Sequence, residues 1–288
     1  LSSGSKIVGA VKSRQEIVVF TDTSVYSMQF VGPPFTFAVN LINEATGLIG
    51  PKAAVTGDAG IYFMSYGSFY LYNGSIQKLP CSVLNYVFSN MNVGQAYKVH
   101  GFTNSENNEV GWFYPSSSAT EIDRYVIYNT QEQIWYYGNL ERHAWLDSGV
   151  QNFPQATNNN YVFQHEIGYN DDGSAMTNVF VESSDFDIGD GNQFSSISSI
   201  IPDVRFLQDD NSGTINIVTK MRNYPGESLT TKATSEISSS TTKANIRARG
   251  RQAVVRFESN DDQSGQGNVA IGWRLGATRL DVKTDGRR

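Results

Sequence analysis

The chain has 288 residues, with 22 basic and 28 acidic residues and a formal charge of −6. At 39% hydrophobic and 17% charged residues it is neither disordered nor collagen-like, and no apolar run approaches the roughly 18 residues of a membrane-spanning helix. A single cysteine, Cys81, excludes an internal disulfide framework. We therefore expect a soluble, folded chain stabilised by apolar burial, and the start at Leu1 without Met or a leader leads us to expect missing upstream residues.

Short apolar runs bounded by Gly, Asn, Asp and Ser predict β-strands joined by tight turns, and helical periodicity is nearly absent. Each pair of runs predicts an antiparallel hairpin, and Asn73-Gly74 supplies a typical hairpin turn. In chain order the paired runs are residues 17–20 with 24–28, 61–64 with 68–72, 97–102 with 110–114, and 124–128 with 134–137.

The hairpins recur with a period of roughly 40 residues, which is the size of a four-stranded propeller blade. The repeats start near Lys12, Lys52, Ala96 and Ala144. Aromatic residues at successive strand positions suit a blade that is buried on both faces. The sequence therefore predicts an all-β chain, a β-propeller of four-stranded antiparallel blades, with an irregular β-sandwich as the rival architecture.

The charge changes sign near residue 200. Residues 1–200 hold 8 basic and 18 acidic residues, whereas residues 201–288 hold 14 basic and 10 acidic residues. We predict acidic propeller blades in 1–200 and a basic C-terminal β-rich segment in 201–288, either a last blade or a small β-domain. Within the latter, residues 232–243 are polar enough for a long exposed loop, and 269–275 and 278–283 predict two closing strands.

The sequence contains no phosphate-binding loop, no G-x-S-x-G elbow and no H-E-x-x-H motif. His100, His143 and His165 have no metal-ligand spacing, so we interpret them as strand or loop residues, and Cys81 as a small buried hydrophobe. Residues 185–191 carry three carboxylates without EF-hand spacing, which favours a solvated turn over a calcium loop. We predict no enzyme activity, no cofactor and no metal site.

Four arginines fall within ten residues: Arg247, Arg249, Arg251 and Arg256. At i, i+2 and i+4, the first three are expected on one strand face, as a stripe about 14 Å long. A guanidinium pairs equally well with phosphates and with carboxylates of a neighbouring subunit. We predict a subunit or adaptor interface for the four arginines, and a solvated outer face is the alternative.

Two blocks of the sequence carry a family resemblance. Residues 47–55, Gly-Leu-Ile-Gly-Pro-Lys-Ala-Ala-Val, with their continuation to Tyr72, and the ending 272–288 resemble the tail hub or nozzle proteins of short-tailed bacteriophages. These proteins are also described as packaged-DNA stabilisation or tail tubular proteins. The resemblance implies a propeller body with β-rich appendages, six copies in a ring around the DNA exit channel, and docking on an adaptor ring below the portal.

On this reading we expect a structural protein of the virion tail, assembled in the host cytoplasm, that continues the portal and adaptor channel and retains packaged DNA until ejection. Genomic DNA would pass without sequence-specific binding, and tail fibres or a needle would be further partners. The alternative is a carbohydrate- or receptor-binding propeller that uses Trp112, Trp135 and Trp145 to stack on sugars. A propeller hydrolase is a third, less favoured option.

Overall fold

The computed structural model describes residues 3–171, 174–176, 179–188, 191–207, 213–260 and 271–286. The chain divides into two compact units, residues 1–167 and 168–288. In the described residues the regular structure is β-strand apart from helix α1 (Leu84–Ser89) and two short 3₁₀ helices (Val93–Lys98 and Ser105–Asn107). The all-β prediction is confirmed.

The first unit consists of four antiparallel sheets, and within each sheet the strands follow chain order. The first sheet contains β1 (Ile7–Lys12), β2 (Ile17–Thr21), β3 (Val25–Phe30) and β4 (Phe37–Asn43). The second contains β5 (Ala54–Gly57), β6 (Gly60–Ser65), β7 (Ser68–Tyr72) and β8 (Ile76–Lys78). The third contains β9 (His100–Asn104), β10 (Glu109–Tyr114), β11 (Arg124–Asn129) and β12 (Ile134–Asn139), and the fourth β13 (Ala144–Leu146), β14 (Gln155–Asn158) and β15 (Tyr161–Gln164).

The sheets recur with nearly constant spacing, because their first strands begin at Ile7, Ala54, His100 and Ala144. The predicted second to fourth repeats therefore start within a few residues of the observed sheets. The first repeat was placed too late, since Lys12 ends β1 and pairs with Ile17.

The first strands of successive sheets lie side by side: β1 contacts β5, β5 contacts β9, and β9 contacts β13. Between the second and third sheets, Lys52 forms a parallel bridge with His100, and the amide of Gly101 donates to the carbonyl of Lys52 at 2.8 Å. Successive sheets are thus adjacent at their first strands. Their last strands, β4, β8, β12 and β15, form the opposite edges of the sheets.

The third sheet is buried on both faces, which explains its run of consecutive aromatics. Trp112 and Tyr114 belong to a core shared with the first and second sheets. Phe113, between them, points to the opposite face. It packs with Phe102 of its own sheet and with Trp145 of the fourth sheet. The expectation that successive aromatics reflect burial on both faces is confirmed for this sheet.

The second unit is built mainly from two sheets that enclose one core. One sheet has the order β18-β24-β21-β22 and the other β23-β19-β26, with the small pairs β16-β17 and β20-β25 beside them. Ile215 of β21 and Phe257 of β24 meet Ile197 of β19 and Ile246 of β23 in that core. The strands are β16 (Asn170–Asp171), β17 (Ser174–Ala175), β18 (Phe180–Glu182), β19 (Ser195–Ile201), β20 (Val204–Phe206), β21 (Thr214–Arg222), β22 (Thr230–Ser238), β23 (Ala244–Gly250), β24 (Gln252–Ser259), β25 (Trp273–Leu275) and β26 (Arg279–Thr284).

One expectation for this unit is wrong and another is confirmed. Residues 232–243 are not a long loop, because β22 pairs along β21 and buries Ile237, leaving a short turn before β23. A polar edge strand rich in Thr and Ser resembles a loop in composition, although β-branched Thr favours strands. The two predicted closing strands are present as β25 and β26, and they pair with different partners, β25 with β20 and β26 with β19.

The boundary between the compact units lies at residue 167, so the predicted division into 1–200 and 201–288 does not coincide with it. The charge step near residue 200 falls inside the second unit. When the chain is divided at residue 167, the first unit carries 8 basic and 12 acidic residues. The second unit carries 14 basic and 16 acidic residues. Charge asymmetry is therefore a property of surfaces within the second unit and does not separate the two units.

Candidate interaction surfaces

The arginine cluster occupies two strands and the turn between them. Arg247 and Arg249 lie on the exposed face of β23, whose alternate residues Ile246 and Ala248 are buried. Arg251 lies just beyond the strand, in the turn to β24, where its amide donates to the carbonyl of Arg222. The expected stripe therefore holds for two residues of the strand, with the third displaced because β23 ends at Gly250.

The guanidinium groups of Arg249 and Arg251 nevertheless converge. They lie 4.3 and 5.1 Å from the centre of the same ring, that of Phe194, and Arg251 also lies 5.4 Å from the ring of Tyr224. Arg249 is held further by Asp285, with Nε 2.5 Å from Oδ2. Stacking and ion pairing fix the planes of the guanidinium groups, which is the preorganisation that an interface arginine needs.

The exposed face of the β23-β19-β26 sheet is predominantly basic; we call it the basic face. Lys283 and Arg249 are both paired with Ser196 in the strand register, so they flank it on the face. Asp281 lies on the same face, and its pKa is lowered by a hydrogen bond from Ser198 and by the charges of Lys283 and Lys243. The exposed charged residues here are Lys243, Arg247, Arg249, Arg279, Lys283, Asp281 and Asp285.

Arg256 does not belong to the basic face. It lies on β24 of the other sheet, with Nε 2.5 Å from Glu258 Oε2, Nη1 3.8 Å from Glu182 Oε2 and its guanidinium 3.7 Å above the ring of Phe180. The sequence analysis assigned the four arginines to one interface because they are close in sequence. The structure places them on two different sheets. Arg256 is engaged in an intramolecular network.

A second surface, which we call the open face, lies on the first sheet. Alternate residues of this sheet, such as Val18 and Phe20, pack in the core against the second sheet. The other parity carries Phe30, Phe37, Val39 and Leu41, which are 68%, 55%, 49% and 40% exposed. Tyr26 has the same parity but is buried, and its hydroxyl donates to the carbonyl of Ser3 at 2.9 Å, so the N-terminal segment covers part of this face.

The tryptophans of the sugar-binding alternative are mainly core residues. Trp112 is fully buried, and its indole donates to the carbonyl of Ala53 at 2.9 Å. Trp135 and Trp145 are partly buried and donate to the carbonyls of Pro80 and Thr103. Their rings pack at a tilt against Phe69 and Phe102, with ring centres 4.7 and 4.8 Å apart, so much of each ring is used in contacts within the unit.

The second unit contains a cavity of about 580 Å³ with a largely apolar lining. Tyr169, Phe180 and Trp273 supply aromatic surface, and Ser259 and Asn260 supply polar atoms. The indole of Trp273 donates to the Ser259 hydroxyl at 3.0 Å, which fixes the orientation of the ring. The dimensions are those of a small-molecule site.

The His, Cys and acidic residues that the sequence analysis considered for metal binding or catalysis do not come together in one site among the described residues. Among the described residues no group of three or more His, Cys, Asp or Glu side chains has the geometry to hold a metal ion. Cys81 is half-buried, and burial raises the pKa of its thiol to about 11, so the nucleophilic thiolate is disfavoured. In the acidic segment, Asp185 pairs with Arg222, while residues 189 and 190 lie outside the described residues.

A pair of carboxylates that the sequence did not single out lies beside the third sheet. The side-chain amide of Asn104 donates to Glu109 Oε2 at 3.0 Å and to Glu166 Oε1 at 3.3 Å, and the hydroxyl of Tyr136 donates to Glu109. Burial raises the pKa of both carboxyl groups, and the charge of Glu166 raises that of Glu109 further. Fifty-seven residues separate the two glutamates in sequence, so only the fold reveals the pair.

His100 gives the first unit a defined pH dependence. Burial, followed by the charge of Lys52, lowers its pKa to about 4 from an ordinary 6.5. Because the folded-state pKa is depressed, the unfolded chain takes up the proton first, and stability present above pH 6.5 is lost as the pH falls toward 4. We expect wild type to lose about 3 kcal/mol more than His100→Phe between pH 7 and 4 in urea unfolding. Parallel pH profiles for the two proteins would contradict this assignment.

The chain matches no protein-family model, and no curated protein is significantly similar to it in sequence. Among the described residues, no helix has the length and apolar character needed to cross a membrane. A proposal about the function is therefore based on the fold and on the surfaces described above.

Proposed function

We propose that the chain is a structural protein of a bacteriophage tail, whose first unit is built from the blades of a β-propeller. The observation that carries the proposal is the succession of first strands β1, β5, β9 and β13, each beside the next. Blades of a propeller are arranged in this way around their axis, with each sheet running outward in strand order. The resemblance of residues 47–72 and 272–288 to tail hub or nozzle proteins supports the same reading.

In this role several copies form a ring, expected to be a hexamer, that continues the channel of the adaptor and portal. A closed ring requires heterologous contacts, in which two different surfaces of the chain meet. The net charge of −6 per chain disfavours tight retention of DNA, so a polyanion passes without sequence-specific binding. The role is mechanical and requires no catalysis.

The basic face fits the interface with a neighbouring subunit or the adaptor. Arg249 and Arg251 are preorganised on Phe194, and Asp281 and Asp285 are interspersed among the cations. Such mixed charges match a protein surface of complementary pattern better than a uniform polyanion, because they fix register. Arg247, Arg249 and Arg251 are the residues of the predicted set proposed for this contact, and Arg256, which lies on the other sheet, is not.

Electron microscopy and mass measurement of the purified chain, alone and mixed with the adaptor and portal proteins, test the proposal. We expect a six-fold ring, and docking on the adaptor that is weakened by Arg247→Glu. Lys232→Glu, which changes the charge on exposed β22 outside the basic face, is the matched control. A chain that stays monomeric in every mixture would disprove the structural role.

The alternative is a carbohydrate- or receptor-binding module, and the cavity beside Tyr169, Phe180 and Trp273 favours it more than the core tryptophans do. Aromatic rings with adjacent polar groups suit a sugar ring. A glycan array separates the two functions: glycan binding by a monomer that Trp273→Ala abolishes would favour this alternative over the tail protein.

A further inference from the structure

Two arginines of the second unit are direct partners on neighbouring strands. In the antiparallel pair β20-β25, Arg205 lies opposite Arg274, and both side chains are exposed. The residues beside them, Phe206 and Trp273, have the other parity and pack in the core of the unit. Because side chains alternate along a strand, the two guanidinium groups project together from the outer side of this strand pair.

The arrangement places two positive charges together without a counterion. Directly opposite residues have Cβ atoms about 5 Å apart, and like charges at such positions destabilise a strand pair. Neither Arg205 nor Arg274 makes a hydrogen bond or an ion pair with any described residue. Asp203, the described acidic residue closest to Arg205 in sequence, is engaged elsewhere, because its carboxylate accepts a hydrogen bond from the amide of Ala277 at 2.9 Å. The described part of the fold therefore leaves the repulsion between the two arginines unbalanced.

The chemistry of the pair indicates the kind of anion that would balance it. A guanidinium group is planar, always charged and able to donate two parallel hydrogen bonds to a carboxylate or a phosphate. One carboxylate neutralises only one of the two charges. A phosphate group with a single ester bond carries close to two negative charges at pH 7 and has three acceptor oxygens. It therefore matches both the charge and the donors of two adjacent arginines.

We propose that Arg205 and Arg274 together bind a phosphate group with two negative charges, either free phosphate or the terminal phosphate of a nucleotide. The anion lies on the outer side of the β20-β25 pair, where both guanidinium groups donate to its oxygens and their repulsion is offset. The site goes beyond the proposed tail function, which depends on the first unit and on the basic face. Its loss would leave that function untouched.

Titration calorimetry with the full chain tests the site, using inorganic phosphate and adenosine 5′-monophosphate as probes at constant ionic strength. Arg205→Gln and Arg274→Gln should each weaken phosphate binding by roughly 10-fold or more, because each removes one charge and one set of donors. Adenosine, which lacks the phosphate, should not bind at the pair. Binding of the nucleotide but not of free phosphate would identify a nucleotide as the source of the group, and binding of both would leave free phosphate sufficient.

Urea unfolding gives a second readout that a merely structural role would not produce. Without phosphate, Arg274→Gln should be at least as stable as wild type, because the substitution removes a like-charge pair. Added phosphate should raise the unfolding midpoint of wild type and leave that of Arg274→Gln unchanged, since a ligand stabilises only the folded state that binds it.

The matched control is Lys232→Gln, which removes the same charge from the exposed start of β22. It should bind phosphate and respond to it like wild type. Equal effects of phosphate on wild type and on both arginine variants would overturn the proposal and leave the pair as protection against strand addition. The proposal would also be overturned if single-stranded DNA or polyglutamate bound through the two arginines while phosphate and the nucleotide did not, because the pair would then serve a nucleic acid or an acidic protein.

Discussion

Replacing Gly47 with Ala is expected to destabilise the first unit by more than about 3 kcal/mol, because the new methyl group has no space. A Cβ at this position would lie 1.9 Å from the carbonyl oxygen of Asp22 and 2.7 Å from the amide nitrogen of Thr23. Both obstacles are backbone, and the amide of Leu48 is bonded to the carbonyl of Thr21 at 3.0 Å, so the segment cannot withdraw easily. Urea unfolding followed by far-ultraviolet circular dichroism measures the loss.

Gly67→Ala is the matched control in the same unit. Gly67 has φ +80° in the turn between β6 and β7, and nothing lies within 4 Å of a Cβ there. Only the backbone conformation is strained, so a loss of about 1 kcal/mol is expected. Equal losses in the free energy of unfolding for Gly47→Ala and Gly67→Ala would show that the backbone of Asp22 and Thr23 does not exclude a side chain at position 47.

The segment 47–55, on which the family resemblance depends, thus has a physical role. It connects the first sheet to the second, with Leu48 and Ile49 in the core. At Gly50 a Cβ would come within 2.6 Å of the carbonyl of Ala96, so the third repeat also passes close by. Residues of this block are constrained by the contact between successive sheets, whatever the function of the assembled protein.

The strands were predictable where local chemistry determines them. Apolar runs and turn residues located β6 and β7, and Asn73-Gly74 marks the turn into β8, with Gly74 at φ +104°. Alternation of Ile246 and Ala248 with arginines located β23 and its two faces. The polar strand β22 escaped prediction, since its pairing with β21 outweighs its loop-like composition.

Features that depend on long-range contacts were not predictable from the sequence. Glu109 lies on the third sheet, and Glu166 follows the last strand of the fourth sheet. The two carboxylates share the side-chain amide of Asn104 only because the fold brings these segments together. Likewise, Phe37 and Val39 look like ordinary strand residues, and only the folded unit shows that they are 55% and 49% exposed. The separation of Arg256 from Arg249 follows from the change of sheet between β23 and β24.

Replacing Trp112 with Ala is expected to cost about 3–5 kcal/mol, the range for removal of a large buried aromatic side chain. Trp112 is fully buried, and its ring lies 4.8 Å from that of Phe69 in the second sheet and 6.2 Å from that of Trp135 in its own sheet. The cavity left behind would open the core that joins three sheets. The carbonyl of Ala53 keeps its bond from the amide of Met64, so the cost is one of packing and not of an unpaired acceptor.

Ile134→Ala provides the comparison, because Ile134 is on the same sheet but 55% exposed. Its substitution should change the free energy of unfolding by no more than about 0.5 kcal/mol. Hydrogen exchange measured by mass spectrometry should place the loss for Trp112→Ala in β7, β10 and β12, because the rings of Phe69, Trp112 and Trp135 on these strands pack together. Loss of protection confined to β10 would mean that the three sheets are held together by other contacts, and that the shared core is less cooperative than its continuous packing implies.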